Sequence, residues 1–276
     1  MLVKWTKDLE LGVAFVDADH KVLIKLLNQI NDCIDQHEES TIVGSVLEAL
    51  VEYTDYHFRR EEKMLEACGY LALEAHMATH RHLSAQVRKI YTDYQTEPWE
   101  ISPADILAFL KSWLVEHIMG HDFEYRDACV GNPAAEKLAN ELSFFEQTEQ
   151  APFSDWANLR IMLVDDNPNF RRLINTLLKA VGVRHLQLVS SAREGVAKLS
   201  QNPADVVLCD MVMDGMNGID FARELQTMNL STRVIMMTGY STDEMKDRGA
   251  GLSIQGYLEK PIKARSLLES IAKAAV

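Results

Sequence analysis

The sequence predicts a multidomain chain: an all-α four-helix bundle followed by an α/β doubly wound domain on a five-stranded parallel sheet. Three observations carry this expectation. Up to about residue 130, apolar residues recur at three-four spacing in long blocks, as on amphipathic helices. Beyond Leu159, five short apolar runs alternate with helical patterns, the order that gives a parallel sheet with crossover helices. Between them, residues 147–158 (QTEQAPFSDWAN) lose periodicity and read as a linker. A length of 276 residues accommodates about two domains.

The first helix is expected over residues 18–37, where Val22, Leu23, Leu26, Leu27, Ile30 and Ile34 fall on one face. The same pattern predicts helices over 41–65, 73–94 and 103–129, separated by the Glu38-Glu39-Ser40 stretch, Gly69 and residues 96–103. Short connections between four such helices make a bundle. A fifth helix is expected from Pro133 to about Phe145, with Asn132 as its cap and proline at its first position. Its seam of Ala135, Leu138, Leu142 and Phe145 suits either a helix lying on its own bundle or a coupling or dimer helix. Strands are expected at 161–164, 186–189, 206–208, 234–237 and 254–258. Helices are expected at 168–181, 191–201, 217–228, 242–248 and 263–274. The domains are therefore placed at 1–131 and 159–276, with a coupling helix and linker at 132–158.

Composition narrows the function classes. The net charge of −13 is uneven: residues 1–156 hold 13 basic and 28 acidic residues, and the rest hold 15 and 13. Neither half has a strong basic footprint, so direct nucleic-acid binding is not expected. No apolar run reaches the roughly 18 residues of a membrane span, and the N-terminus lacks a secretory pattern. Cys33, Cys68, Cys129 and Cys209 are far apart in sequence and form no C-x-x-C pair. That usage fits thiols in a reducing cytoplasm.

Eight of the nine histidines precede residue 122. His57 and Glu61 are four apart, as are His76 and His80, so each pair projects from one helix face. A single histidine on an apolar face is ordinarily a hydrogen-bonded core residue. Two pairs plus His20 on a third helix point instead to a metal site, because imidazoles and shared carboxylates suit a pair of cations. Glu62 is out of phase with His57, His82 is off the ligand face, and His37 and His185 read as ordinary. On the fourth helix, His117 pairs at i,i+4 with His121, whereas Asp122 is about 140° out of phase on an ideal helix. Periodicity alone favours His121; a wider π-like turn would admit Asp122.

The C-terminal half carries a second constellation. Asp165 and Asp166 close the first predicted strand, Asp210 the third and Thr238 the fourth, and Lys260 follows the fifth. Ligands bind at such strand ends in open α/β sheets. Acidic residues there can hold Mg2+, a hydroxyl can contact a phosphoryl oxygen, and a lysine can offset its charge.

Two family resemblances extend this reading. Trp5, the D-x-x-H ending at His20, H-F-x-x-E-E from His57, H-x-x-x-H from His76, and W-L-x-x-H-I-x-x-x-D from Trp113 to Asp122 resemble bacterial hemerythrins over about residues 1–130. That resemblance implies two non-haem irons joined by an oxo or hydroxo group. It assigns His76, His80 and His117 to one iron and His20 and His57 to the other, with Glu61 and Asp122 bridging and dioxygen as ligand. L-V-D-D-N (163–167), D-M-V-M-D-G-M-N-G (210–218), M-T-G (237–239) and G-Y-L-E-K-P (256–261) resemble response-regulator receiver domains over 159–276. That resemblance makes Asp210 the phosphoacceptor and Thr238 and Tyr257 the switch residues, with Lys260 as phosphate partner. Asp165, Asp166, Asp210 and the Val212 carbonyl then serve Mg2+. Asp214 stands where most receivers have proline.

The combined expectation is a cytoplasmic two-component protein with an oxygen- or redox-sensing di-iron domain. Its receiver would take a phosphoryl group from a histidine kinase or phosphotransfer protein and signal to a downstream protein. No enzymatic activity is expected beyond the receiver's own phosphoryl transfer and dephosphorylation. The alternatives are an oxygen store or carrier addressed by its receiver, and a di-iron reductase of peroxide or nitric oxide.

Overall fold

The structure, a computed structural model of the chain, describes residues 1–98, 102–138, 155–228, 230–239 and 249–275. The chain divides into two compact units, Met1–Glu149 and Gln150–Val276. Among the described residues, no helix is long and apolar enough to cross a membrane.

The first unit is a helical bundle. Helices α1 (Ala14–Asp35), α2 (Ser40–Ala67), α3 (Leu73–Thr96) and α4 (Pro103–His117) follow the predicted blocks. Helix α4 continues through a π-helical turn, Ile118–Asp122, into α5 (Phe123–Cys129), so the fourth predicted helix contains one wide turn. Leu23, Leu26, Leu27 and Ile30 of α1 are buried, as are Val46, Leu47 and Leu50 of α2 and Leu110 and Leu114 of α4. The Asp17 carboxylate accepts the Leu11 and Gly12 N–H groups at 2.8 and 3.0 Å and fixes the chain's entry into α1. Gly69 (φ 69°) ends α2 in the left-handed conformation, and the Tyr70 N–H returns to the Leu65 carbonyl at 3.0 Å. Of the fifth predicted helix, Pro133–Leu138 (α6) is described; it packs on α2 with Ala135 buried. Leu142 and Phe145 lie outside the described residues.

The second unit is a five-stranded parallel sheet in the order β2-β1-β3-β4-β5. Its strands are β1 (Arg160–Val164), β2 (His185–Val189), β3 (Val206–Asp210), β4 (Arg233–Thr238) and β5 (Ile254–Glu259). Central β3 is buried along its whole length, as expected for a strand covered on both faces. Helices α7 (Pro168–Ala180), α8 (Ala192–Gln201), α9 (Gly218–Thr227) and α10 (Ala264–Ala275) complete the described elements. Side chains cap three of them: Asn167 accepts from the Phe170 N–H, Ser191 from Glu194 and Asn217 from Asp220. The predicted helix at 242–248 falls outside the described residues.

The parallel order brings the C-terminal ends of β1, β3, β4 and β5 to one edge, which places Asp165, Asp210, Thr238 and Lys260 there. Gly218 begins α9 directly beneath that edge. A Cβ at this position would lie 2.6 Å from the Asp210 carbonyl oxygen and 3.0 Å from the Met211 Cα. Both contacts are backbone and cannot swing away. Gly218→Ala is therefore expected to destabilise the second unit by about 1–3 kcal/mol, read as a lower urea midpoint for that unit alone. An unchanged midpoint would show that the loop after β3 gives way freely.

Candidate metal centre and candidate phosphoacceptor site

All seven sequence-predicted metal residues are buried: His20, His57, Glu61, His76, His80, His117 and Asp122. Their ligand atoms form two groups sharing Glu61. His76, His80, His117 and Asp122 join Glu61 in one, and His20 and His57 join it in the other; within each group the atoms lie within 4.8 Å of one another. Each carboxylate reaches both sides. Glu61 places one oxygen 3.0 Å from His76 Nε2 and the other 3.1 Å from His57 Nε2. Asp122 places one oxygen 3.1 Å from His117 Nε2 and the other 3.2 Å from His20 Nε2.

The π-helical turn explains how Asp122 enters. Its ring is closed by the Phe123 N–H donating to the Ile118 carbonyl, an i→i+5 bond. The widened turn rotates Asp122 inward beside His117 and leaves His121 exposed. Ideal helical phase would turn His121 inward beside His117; the local departure from α geometry turns Asp122 inward instead. His37, His82 and His185 are exposed.

The electrostatics are those of a dry, crowded polar centre. Burial, aided by neighbouring imidazoles, holds His20 and His117 well below the ordinary histidine range, and burial also lowers His80. Burial opposes the charge on His57 as well, but the Asp19 and Glu61 carboxylates overcome it and raise the ring to about 9. Burial raises Asp122, with Glu61 beside it adding to the effect. Neutral imidazoles are the ligand-competent form. Several buried polar atoms have no hydrogen-bond partner: Nε2 of His80 and His117, both oxygens of Asp122 and Oε2 of Glu61. Buried polar atoms without partners are rare in proteins, and here their lone pairs converge. Met64, Leu65, Leu114 and Ile118 are buried and contribute apolar surroundings.

Two features were missed in the sequence. Glu62, set aside as out of phase, lies 2.9 Å from His80 Nδ1 and accepts from it in the tautomer that carries its proton there. Cys68 and Cys129, distant in sequence, come within hydrogen-bond reach, and burial together with Cys68 raises the Cys129 thiol. Adjacent glutamates on α2 signalled the first; nothing local signalled the second.

In the second unit, the ligand oxygens of Asp165, Asp166 and Asp210 also lie within 4.8 Å of one another. Lys260 Nζ lies 3.0 Å from an Asp210 oxygen and 3.3 Å from an Asp165 oxygen. The Lys260 ammonium also lies 4.2 Å from the Phe170 ring centroid. Thr238 is buried at the end of β4, Tyr257 is half-buried on β5, and Val212 is exposed in the loop after Asp210. The Asp214 N–H donates to Asp166 Oδ2 at 3.1 Å. Proline cannot make this bond, so the departure at 214 adds a tether on the one exposed carboxylate of the trio.

Residues 11–129 match the family model for the hemerythrin HHE cation binding domain, and residues 161–272 match that for the response regulator receiver domain. The bacteriohemerythrin of Pseudomonas aeruginosa is 32% identical over 124 residues, covering 45% of this chain and 79% of that protein. The signal transduction histidine-protein kinase BarA of Escherichia coli is 31% identical over 131 residues, covering 46% of this chain and 14% of the kinase. A structure of the Vibrio cholerae chemotaxis protein CheY4 is 24% identical, covering 42% of this chain and 98% of its own, with a TM-score of 0.40.

Burial and the nearby Asp210 raise Asp165 from its ordinary 3.8 to about 6, against the pull of Lys260. A carboxyl group raised in the folded state favours folding while protonated. Its contribution is complete below about pH 3.8 and lost as the pH rises through about 6. In chelator, Asp165→Asn should therefore gain stability relative to the parent chain between pH 5 and pH 7.5. Urea unfolding of the receiver unit measures this difference, and a flat difference across that range would contradict the assignment.

Proposed function

From the premise that this chain belongs to the hemerythrin family and also carries a response regulator receiver domain, we propose that it is a two-component signalling protein. Its bundle senses dioxygen or redox state at a di-iron centre, and its receiver is phosphorylated on Asp210. The observation that carries the reading is the division of Glu61 and Asp122, each with one oxygen toward either histidine set. That arrangement suits two cations sharing two carboxylates.

The donor set fits the metal. His76, His80 and His117 would hold one iron, His20 and His57 the other, and Glu61 and Asp122 would bridge them. By the hemerythrin resemblance, dioxygen would bind on the side held by His20 and His57. An iron pair held by these residues would supply reversible oxygen binding and electron exchange. The chain's own residues exclude water, hold His20, His80 and His117 toward the neutral form and fix the direction of the rings.

In the receiver, Asp165, Asp166, Asp210 and the Val212 carbonyl would hold Mg2+, which supplies charge neutralisation. An Asp210 carboxylate oxygen attacks the phosphorus of a phosphohistidine on a kinase or phosphotransfer protein. The oxygen–phosphorus bond forms as the nitrogen–phosphorus bond breaks, and the electron pair leaves on the imidazole nitrogen. Lys260, already 3.0 Å from Asp210, offsets charge on the phosphoryl oxygens. The Thr238 hydroxyl and the Tyr257 ring form the switch that carries the phosphorylated state to a downstream protein.

Metal analysis of the full chain should give two irons, retained in His121→Ala and largely lost in Asp122→Ala. Iron removal should lower thermal stability and speed amide exchange first in α3, since metal bound only by the folded state stabilises it. One iron per chain, or intact di-iron absorption in Asp122→Ala, would refute the centre.

A small phosphodonor with Mg2+ should label the parent chain and Asp214→Pro, but not Asp210→Asn. The lifetime of the phosphoryl group should differ between deoxy, oxy and oxidised forms. Equal lifetimes in all three would leave a carrier rather than a sensor.

A further inference from the structure

Each histidine of the metal centre has a second ring nitrogen, and these nitrogens are treated unequally. Nδ1 of His20, His57 and His117 has no hydrogen-bond partner. His80 Nδ1 instead meets Glu62 Oε1 at 2.9 Å, with its ring stacked on Phe58 at 3.8 Å between centroids. Of the three without a partner, His57 Nδ1 alone faces a carboxylate, Asp19 Oδ2, at an ion-pair distance of 3.7 Å. Asp19 is 3% exposed and firmly held. Arg60 Nη1 donates to both its oxygens, at 3.0 and 2.9 Å, and the Tyr53 hydroxyl donates to one at 3.0 Å. Arg60 in turn lies over the Phe15 ring, 4.6 Å from its centroid. One histidine in each candidate ligand set therefore has a carboxylate behind it.

The arrangement follows from helix geometry. Successive residues on a helix are about 100° apart, so Glu61 faces the centre while Glu62 faces α3. Asp19 precedes His20 on α1 and is likewise turned away from it, toward α2. A carboxylate behind an imidazole favours the tautomer that leaves the other nitrogen's lone pair free, fixes the ring and strengthens it as a donor.

We propose that Asp19 and Glu62 are positioning residues that set the affinity of the two metal positions separately, Asp19 through His57 and Glu62 through His80. The proposal rests on the di-metal reading above. It assigns separate control of two ions to residues that touch neither.

The test uses the metal-free full chain titrated anaerobically with Co2+, followed by visible absorption and by equilibrium dialysis. The parent chain should bind two Co2+ ions. His20→Ala and His117→Ala supply reference spectra for loss of the two-histidine and three-histidine positions. Asp19→Asn should weaken one ion by about 10–100-fold and shift the spectrum toward that of His20→Ala. Glu62→Gln should weaken the other by a similar factor and shift it toward that of His117→Ala. Urea unfolding of the metal-free variants separates this from lost stability, because a purely structural role would weaken both ions together. Equal weakening of both ions in either variant, or unchanged affinity in a folded variant, would overturn the proposal. If Asp19→Asn does not fold, Glu62→Gln, whose side chain is 21% exposed, decides alone. A parent chain that binds fewer than two ions would overturn the di-metal reading and this proposal together. Two ions in the parent chain without selective loss would overturn the proposal alone.

Discussion

Helix α3 is 24 residues long, yet its buried residues are His76, His80, Val87 and Tyr94. At its N-terminal half the inward face is made of imidazoles. The bundle therefore closes there around a polar centre instead of an apolar seam. Five imidazoles and two carboxylates without water are costly to bury unless each finds a partner. They satisfy one another only in part: His76 Nε2 meets Glu61 Oε1 at 3.0 Å and His20 Nε2 meets His57 Nε2 at 3.1 Å. The remaining lone pairs converge where cations would complete them. Packing of α1, α2, α3 and the π-helical turn is thus coupled to one small group of side chains. A change in the charge or geometry of that group acts on several helices at once.

The receiver unit solves a related problem at its rim. Asp165 and Asp210 are buried at the ends of β1 and β3, while Asp166 remains exposed. Lys260 approaches both buried carboxylates from beyond β5, and the Asp214 N–H approaches the exposed one from the loop after β3. One lysine cannot balance three carboxylates, and burial keeps Asp165 and Asp210 raised. The site is consequently set up to gain from a cation or a change of charge. In both units local excess charge is tolerated where a ligand can relieve it.

Much of this was legible in the sequence because it depends on local periodicity. The i,i+4 spacing of His57–Glu61 and His76–His80 placed each pair on one helix face, and those faces turn inward. The five apolar runs located the strands, and the three that lead into Asp165, Asp210 and Thr238 located the edge that carries chemistry.

What the sequence determined by itself were the elements, their inward faces and the residue types available for chemistry, because each follows from near-neighbour geometry. Tertiary structure decided which of those residues meet. The choice of Asp122 over His121 depends on an i→i+5 turn that ideal helical phase cannot contain. The contact of Glu62 with His80 depends on the rotation of α2 against α3, and that of Asp19 with Arg60 and His57 on how α1 lies along α2. The approach of Cys68 to Cys129 joins positions 61 residues apart in sequence through the packing of helix ends. Such contacts are set by side-chain packing between elements, and no periodicity along a single element encodes them.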